Sequence, residues 1–198
     1  MLKLIPLMTW TGASLGVVAG VFVPLMTDTM VANPETAGWN EEKQNKYCLL
    51  CMVGCGLGEI VGAILLGKIQ DKFGDVKATY SCLLLTLIGG AIALGFTVNY
   101  SFSMVFAVLM TFSWGVQDGA VNCLMNCILG FQFESKTTPF SVFKSVQSFL
   151  IFVCLCIESL LVDKEYFLIY LSSVLAEATL SYLIVTLTFR FENKETKD

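Results

Sequence analysis

Long apolar runs broken by short polar interruptions make up almost the whole chain. The runs cover residues 4–26, 47–66, 77–98, about 102–127, 141–162 and 166–189. A hydrocarbon core of ~30 Å takes about 20 apolar residues at a rise of 1.5 Å each, and every run reaches that length. The pattern predicts an all-α membrane protein: six transmembrane helices in one bundle over 1–190, then a polar tail at 191–198.

Composition points the same way. Mean hydropathy is +0.73, and 56% of residues are hydrophobic against 14% charged, where a soluble domain carries roughly 25% charge. Charge placement then orients the spans. With the N-terminus in the cytoplasm, that side holds Lys3, Lys68, Lys72, Lys77, Lys136, Lys144, Arg190, Lys194 and Lys197, and the other holds Lys43, Lys46 and Lys164. Nine basic residues against three is a positive-inside bias. Both termini are therefore expected in the cytoplasm, and segment 27–46, with Asp28, Glu35, Glu41 and Glu42, is expected as an external loop. The net charge of −4 argues against nucleic acid as a partner. The first run is also too long for the h-region of a cleaved signal peptide.

Cysteine placement excludes more than it suggests. Cys48, Cys51, Cys55, Cys82, Cys123, Cys127, Cys154 and Cys156 all fall inside apolar runs, and segment 27–46, the outside stretch where oxidation would staple a loop, has none. They read as small apolar residues packing between helices. The chain has no histidine, so a zinc site loses its usual ligand and a serine or cysteine nucleophile its usual base. No glycine-rich phosphate loop follows a strand. These features predict a protein that is not an enzyme and has no cofactor or metal.

The polar residues that enter the apolar runs carry more information, because an ionisable group at the centre of a span costs about 2.5–3.5 kcal/mol on insertion scales. Glu59, Asp118 and Glu177 are such groups, whereas Glu158, close to the external end of the fifth run, is expected to snorkel. Span four is the richest, with Trp114, Gly115, Gln117, Asp118, Asn122 and Asn126. Asp118, Asn122, Asn126 and Gly130 recur at spacing four and so share one slanting face of a helix. That face is either the wall of a polar cavity or a seam of interhelical hydrogen bonds. A carboxylate near mid-membrane favours the cavity, with Gln117 and Glu59 as further candidates. In span two, Gly54, Gly58 and Gly62 form a doubled small-xxx-small pattern that permits close helix approach, with Glu59 one step off that face. Glu177 is bracketed by Ser173 and Ser181, which could satisfy it within the bundle.

Between spans two and three, Gly67, Asp71, Lys72 and Gly74 stand at the offsets of a known loop. The segment resembles the cytoplasmic signature loop of the major facilitator superfamily, although Asp75 occupies the position after the second glycine where a basic residue is usual. Ile5-Pro6-Leu7 with Trp10-Thr11-Gly12, and Trp114-Gly115-x-x-Asp118 with Asn122, Asn126 and Gly130, are similar to the C-terminal half of the uncoordinated-ninety-three family. That branch is described as ion-channel regulatory proteins. The resemblance implies two six-helix bundles, each of two inverted three-helix repeats, with a central site between them. This chain would supply the second bundle, spans one and four lining the cavity, two and five presenting small and polar surface, including Gly54, Gly58 and Gly62, to the other bundle, and three and six facing lipid.

The function expected from these readings is transport of a small solute by alternating access, with Asp118, Asn122 and Asn126 at a midplane site. An acid and two amides suit a cationic or hydrogen-bonding solute, and protonation of Asp118 or Glu59 could couple its movement to a proton gradient. The other reading is a non-transporting accessory subunit of an ion channel or other membrane complex. Either way the expected partners are the lipid bilayer and a missing N-terminal bundle or second chain, which could be another copy of this one.

Overall fold

The computed structural model describes residues 1–133, 137–161, 163–189 and 191. Among them it is helical with short connections, and five helices are long and apolar enough to cross a membrane: α1, Leu2–Ala32; α2, Glu41–Asn99; α3, Met104–Phe131; α4, Thr137–Glu158; and α5, Lys164–Thr188. Large side chains such as Leu49, Leu57, Ile64, Phe152, Ile169 and Leu187 point outward. An apolar outer belt of this kind is what a bilayer, rather than water, accommodates.

α1 runs past the expected end of its span at residue 26 to Ala32, so the connection to α2 is shorter than the 27–46 expected as an external loop. Thr27 and Thr29 keep the helix going by donating back to the carbonyls of Val23 and Met26, at 3.0 and 2.8 Å. Asn33 then leaves the helix with an extended backbone. α2 restarts at Glu41 under a cap from Asn40, whose side chain accepts from the Lys43 amide at 3.0 Å, with Glu41 and Glu42 in the first turn where the helix dipole favours acids.

The 59 residues of α2 would make a straight rod of about 90 Å, three times a hydrocarbon core. The rod is broken at Gly74, whose φ of 81° and ψ of 174° are open only to glycine. Residues on both sides of the break touch the same stretch of α3: Cys51 receives a bond from Thr111, and Thr86 lies 3.3 Å from Gln117 Oε1. The chain therefore folds back at Gly74 and its two limbs flank α3. The segment expected as a signature loop is helical apart from this one residue. A clasp closes the turn, Gln70 Nε2 and Gln132 Nε2 each donating to Asp75 at 2.7 and 2.9 Å.

Packing between helices follows the small residues. A methyl at Gly58 would strike the Phe112 carbonyl, and one at Gly62 the Val116 carbonyl. Reciprocally, methyls at Gly115 and Gly119 would strike the carbonyls of Cys55 and Glu59. The first limb of α2 and α3 thus run parallel in backbone contact. This corrects the expectation that Gly54, Gly58 and Gly62 present a surface to another bundle: all three are buried against α3, because only there can two backbones approach closely. α1 meets α4 in the same manner through Gly12, Gly16 and Gly20, which face Leu150, Cys154 and Glu158.

Candidate functional site

α3 lies at the centre of the bundle and delivers most of the polar groups. Asp118 and Gln117 are 2% and 1% exposed. Asp118 Oδ1 accepts from the Ser14 hydroxyl of α1 at 2.6 Å, and Oδ2 accepts from Asn122 Nδ2, one turn on, at 3.1 Å. Ser14 Oγ in turn accepts from Gln117 Nε2 at 2.8 Å, and its carbonyl accepts from Trp114 Nε1 at 3.3 Å. Trp114 packs edge-on to Trp10 and Phe22, with centroids 6.2 and 5.3 Å away.

The network then runs outward in two directions. Toward α2 and α5, Thr86 Oγ1 lies 3.3 Å from Gln117 Oε1 and 3.4 Å from the Tyr182 hydroxyl. Toward α4, Asn122 Oδ1 accepts from Gln147 Nε2 at 3.2 Å, and Gln147 Oε1 accepts from Lys144 Nζ at 2.8 Å. Side chains from all five helices therefore belong to one polar chain.

The slanting face read from the sequence is divided by the packing. Asp118 looks into the bundle, Asn122 is half-buried and Asn126 is exposed. Glu59, Asn122 and Asn126 line an open groove of about 460 Å³ between the first limb of α2 and α3, together with Ile60, Ala63, Gly119 and Cys127. Glu59 is half-buried there, with the Cys55 thiol 3.9 Å from its Oε1. The structure brings Glu59, Asn122 and Asn126 together, and it connects Asp118 and Gln117 to that groove through Asn122. Gly67, Asp71, Lys72 and Gly74 are far along the chain, at the fold of α2. Asp71 and Lys72 are exposed there, and Asp75, the residue that departs from the resembled loop, makes the contact to the end of α3.

Two acids lie outside this set. Glu177 Oε1 accepts from Thr9 at 2.9 Å and from Ser181 at 3.0 Å; Ser181 was legible as its neighbour, while Ser173 bonds its own helix at the Tyr170 carbonyl. Glu158, expected to snorkel, is 6% exposed and accepts from the Tyr170 hydroxyl at 2.6 Å. The signal that could have placed it is the Gly12, Gly16, Gly20 series in the first apolar run, which marks α1 as a close-packing helix as plainly as Gly54, Gly58 and Gly62 mark α2.

At the opposite end of the bundle from Gly74, Tyr100 sits in the α2–α3 connection with a left-handed φ of 44°. Burial, then the negative charges of Asp28 and Asp163, push its hydroxyl up. Among the described residues no three His, Cys, Asp or Glu side chains gather as a metal centre requires. No family model matches the chain, and no match was found among curated proteins or solved structures.

Proposed function

We propose that this chain is one bundle of a major-facilitator-type transporter that moves a small cationic or hydrogen-bonding solute by alternating access, completed by a second bundle from another chain or another copy. The observation that carries this reading is the groove walled by Glu59, Asn122 and Asn126 and joined through Asn122 to the sealed Asp118. An acid and two amides on the flank of an apolar bundle are costly against lipid, and they become useful against water, solute or a polar partner surface.

The helix contacts support the same architecture. Each limb of α2 counted as one crossing gives six, and exchanging the first three for the last three maps the contacts onto one another. α1 on α4 becomes α3 on the first limb, each through a glycine series. Thr9 of α1 bonding Glu177 of α5 becomes α3 meeting the second limb at Gln117 and Thr86. Lys3, Lys68, Lys72 and Lys77 fall at the Gly74 end and Lys43, Lys46 and Lys164 at the other, which supports cytoplasmic termini. Lys136, Arg190, Lys194, Lys197 and the tail lie outside the described residues, apart from Phe191.

One observation favours the accessory-subunit reading instead: both oxygens of Asp118 are satisfied by this chain's own neutral donors, as a structural clasp would be. A binding screen separates the two. The chain in lipid nanodiscs is melted against panels of small cationic, zwitterionic and neutral solutes, where a solute at ten times its Kd adds about 1.4 kcal/mol. A transporter bundle gives a shift for one class that disappears in Asn126→Leu and in Asp118→Asn while both variants stay folded. A flat response across every class, or a shift indifferent to both substitutions, removes the transport reading.

A further inference from the structure

The transport reading leaves Glu158 unused, and its surroundings are peculiar. It closes α4, yet it points inward and is 94% buried by its 6% exposure. Oε1 accepts from Tyr170 of α5 at 2.6 Å, while Oε2 is buried with no hydrogen-bond partner. That oxygen lies against Gly20 of α1, in the place a side chain there would fill.

The facing stretch of α1 is irregular for a reason the sequence supplies. Pro24 has no N–H to give the Gly20 carbonyl one turn back, and the helix answers with a π turn over Val17–Val21, where the Phe22 amide reaches the Val17 carbonyl. Such π turns inside α-helices gather at functional sites. Here one holds a glycine open opposite a carboxyl oxygen without a donor. The glycine spares room for the carboxyl.

Chemistry then decides which form of the acid fits. A carboxylate has two acceptor oxygens and needs donors or a cation for both. Oε1 has the Tyr170 hydroxyl and Oε2 has none. The titratable groups facing the site are few. α4 itself offers the Cys154 thiol, within reach of the Tyr170 hydroxyl; α5 offers Tyr170; and α1 offers only backbone at Gly16 and Gly20. The nearest other acids are engaged elsewhere, Glu177 with Thr9 and Ser181, and Asp28 two turns further along α1, facing Asp163 and Tyr100. None supplies a positive charge. The neutral acid places its hydroxyl on Oε2, and an unpaired neutral O–H in an apolar cradle costs far less than an unpaired charge.

We propose that Glu158 is a proton-binding site between α1, α4 and α5. It is held as the neutral acid while Gly20 covers it, and it exchanges its proton with the adjoining water only when α1 and α4 part at this end. The bond made and broken is the Oε2–H bond alone, the proton coming from and returning to solvent. The site needs no solute and stands apart from the transport reading.

Infrared spectroscopy of the chain in lipid at neutral pH reads the protonation directly. The expected result is a carboxylic C=O stretch that is lost in Glu158→Gln and moves to higher frequency in Tyr170→Phe as the hydrogen bond is removed. Gly20→Ala, which pushes the carboxyl out of its cradle, should convert that band to a carboxylate one. Coupling to packing is read at Cys154, which touches Gly16, by N-ethylmaleimide labelling resolved by peptide mass spectrometry. The ratio of wild-type to Glu158→Gln labelling rates should rise several-fold as pH is raised from neutral. Should Glu158→Gln fail to fold, Gly20→Ala and Tyr170→Phe carry the infrared test by themselves. A spectrum in which these substitutions alter only carboxylate bands, or a labelling ratio flat with pH, overturns the proposal.

Discussion

Gly56 and Gly58 sit two residues apart on the same limb of α2, and alanine at each should act in opposite directions. At Gly56 an added methyl meets nothing within 4 Å, so Gly56→Ala is neutral or gains up to about 1 kcal/mol from helix propensity. At Gly58 the methyl lands on the Phe112 carbonyl, 2.9 Å from Val116 N and 3.1 Å from Gly115 Cα. All three are backbone atoms, which no rotamer change can move aside, so α2 and α3 must separate. Overpacking of this kind costs about 1–3 kcal/mol, and each close Cα–H···O contact given up adds about 0.5–1 kcal/mol. Offset by the same propensity gain, Gly58→Ala should lose about 1–3 kcal/mol, leaving the two variants at least about 1 kcal/mol apart. Unfolding in mixed micelles of rising dodecyl sulfate fraction, followed by tryptophan fluorescence, reads the difference, because Trp114 sits one residue from the interlock at Gly115. Equal midpoints for the two variants would show that α2 and α3 are not in backbone contact.

Gly74→Ala should destabilise by about 1–3 kcal/mol through its φ of 81° and not through crowding, since nothing lies within 4 Å of a methyl there. Gly67→Ala, equally open but helical, is the control in the same melt and should be near neutral; matching losses would point to something other than the fold of α2. For orientation, a cysteine in place of Glu41 should react with a membrane-impermeant maleimide in intact cells, above the background of the native thiols. Reaction only after permeabilisation would invert the bundle.

The long helices were legible because length and apolarity alone specify them, and Gly74 and the Asn122–Asp118 contact were legible because both are local. The sharing of polar groups between helices was not. Spacing four put Asp118, Asn122 and Asn126 on one face, yet only the rotation of α3 against its neighbours decides that the first is sealed and the last open. The same limit misplaced Gly54, Gly58 and Gly62, whose pattern announces a close partner without naming it. Glu158 read as a snorkelling end residue because Tyr170 and Gly20, which hold it, are remote in sequence or lie on another helix. The extra turns of α1 were missed because Thr27 and Thr29 look like loop residues until their hydroxyls are seen bonding back into the helix.

The interlock of α2 and α3 has a further consequence for how the molecule can change shape. Glycines spaced by four on both helices would accept a slip of one turn almost as well as the native alignment. Thr111 resists partial sliding, because its hydroxyl reaches the Cys51 carbonyl at 2.7 Å and meets an equivalent main-chain carbonyl only a whole turn away. This pair is thus a ratchet notched once per turn, with backbone against backbone holding it between notches. The seam between α1 and α4 changes character along its length: Gly12 lies against the Gln147 carbonyl and Leu150 Cβ, and Gly16 against Cys154 Cβ, all fixed by the backbone, whereas Gly20 faces only the ends of the Glu158 and Leu155 side chains, which can swing away. The room for α1 and α4 to part is accordingly at the Gly20 end of that seam, the place where Glu158 is kept dry.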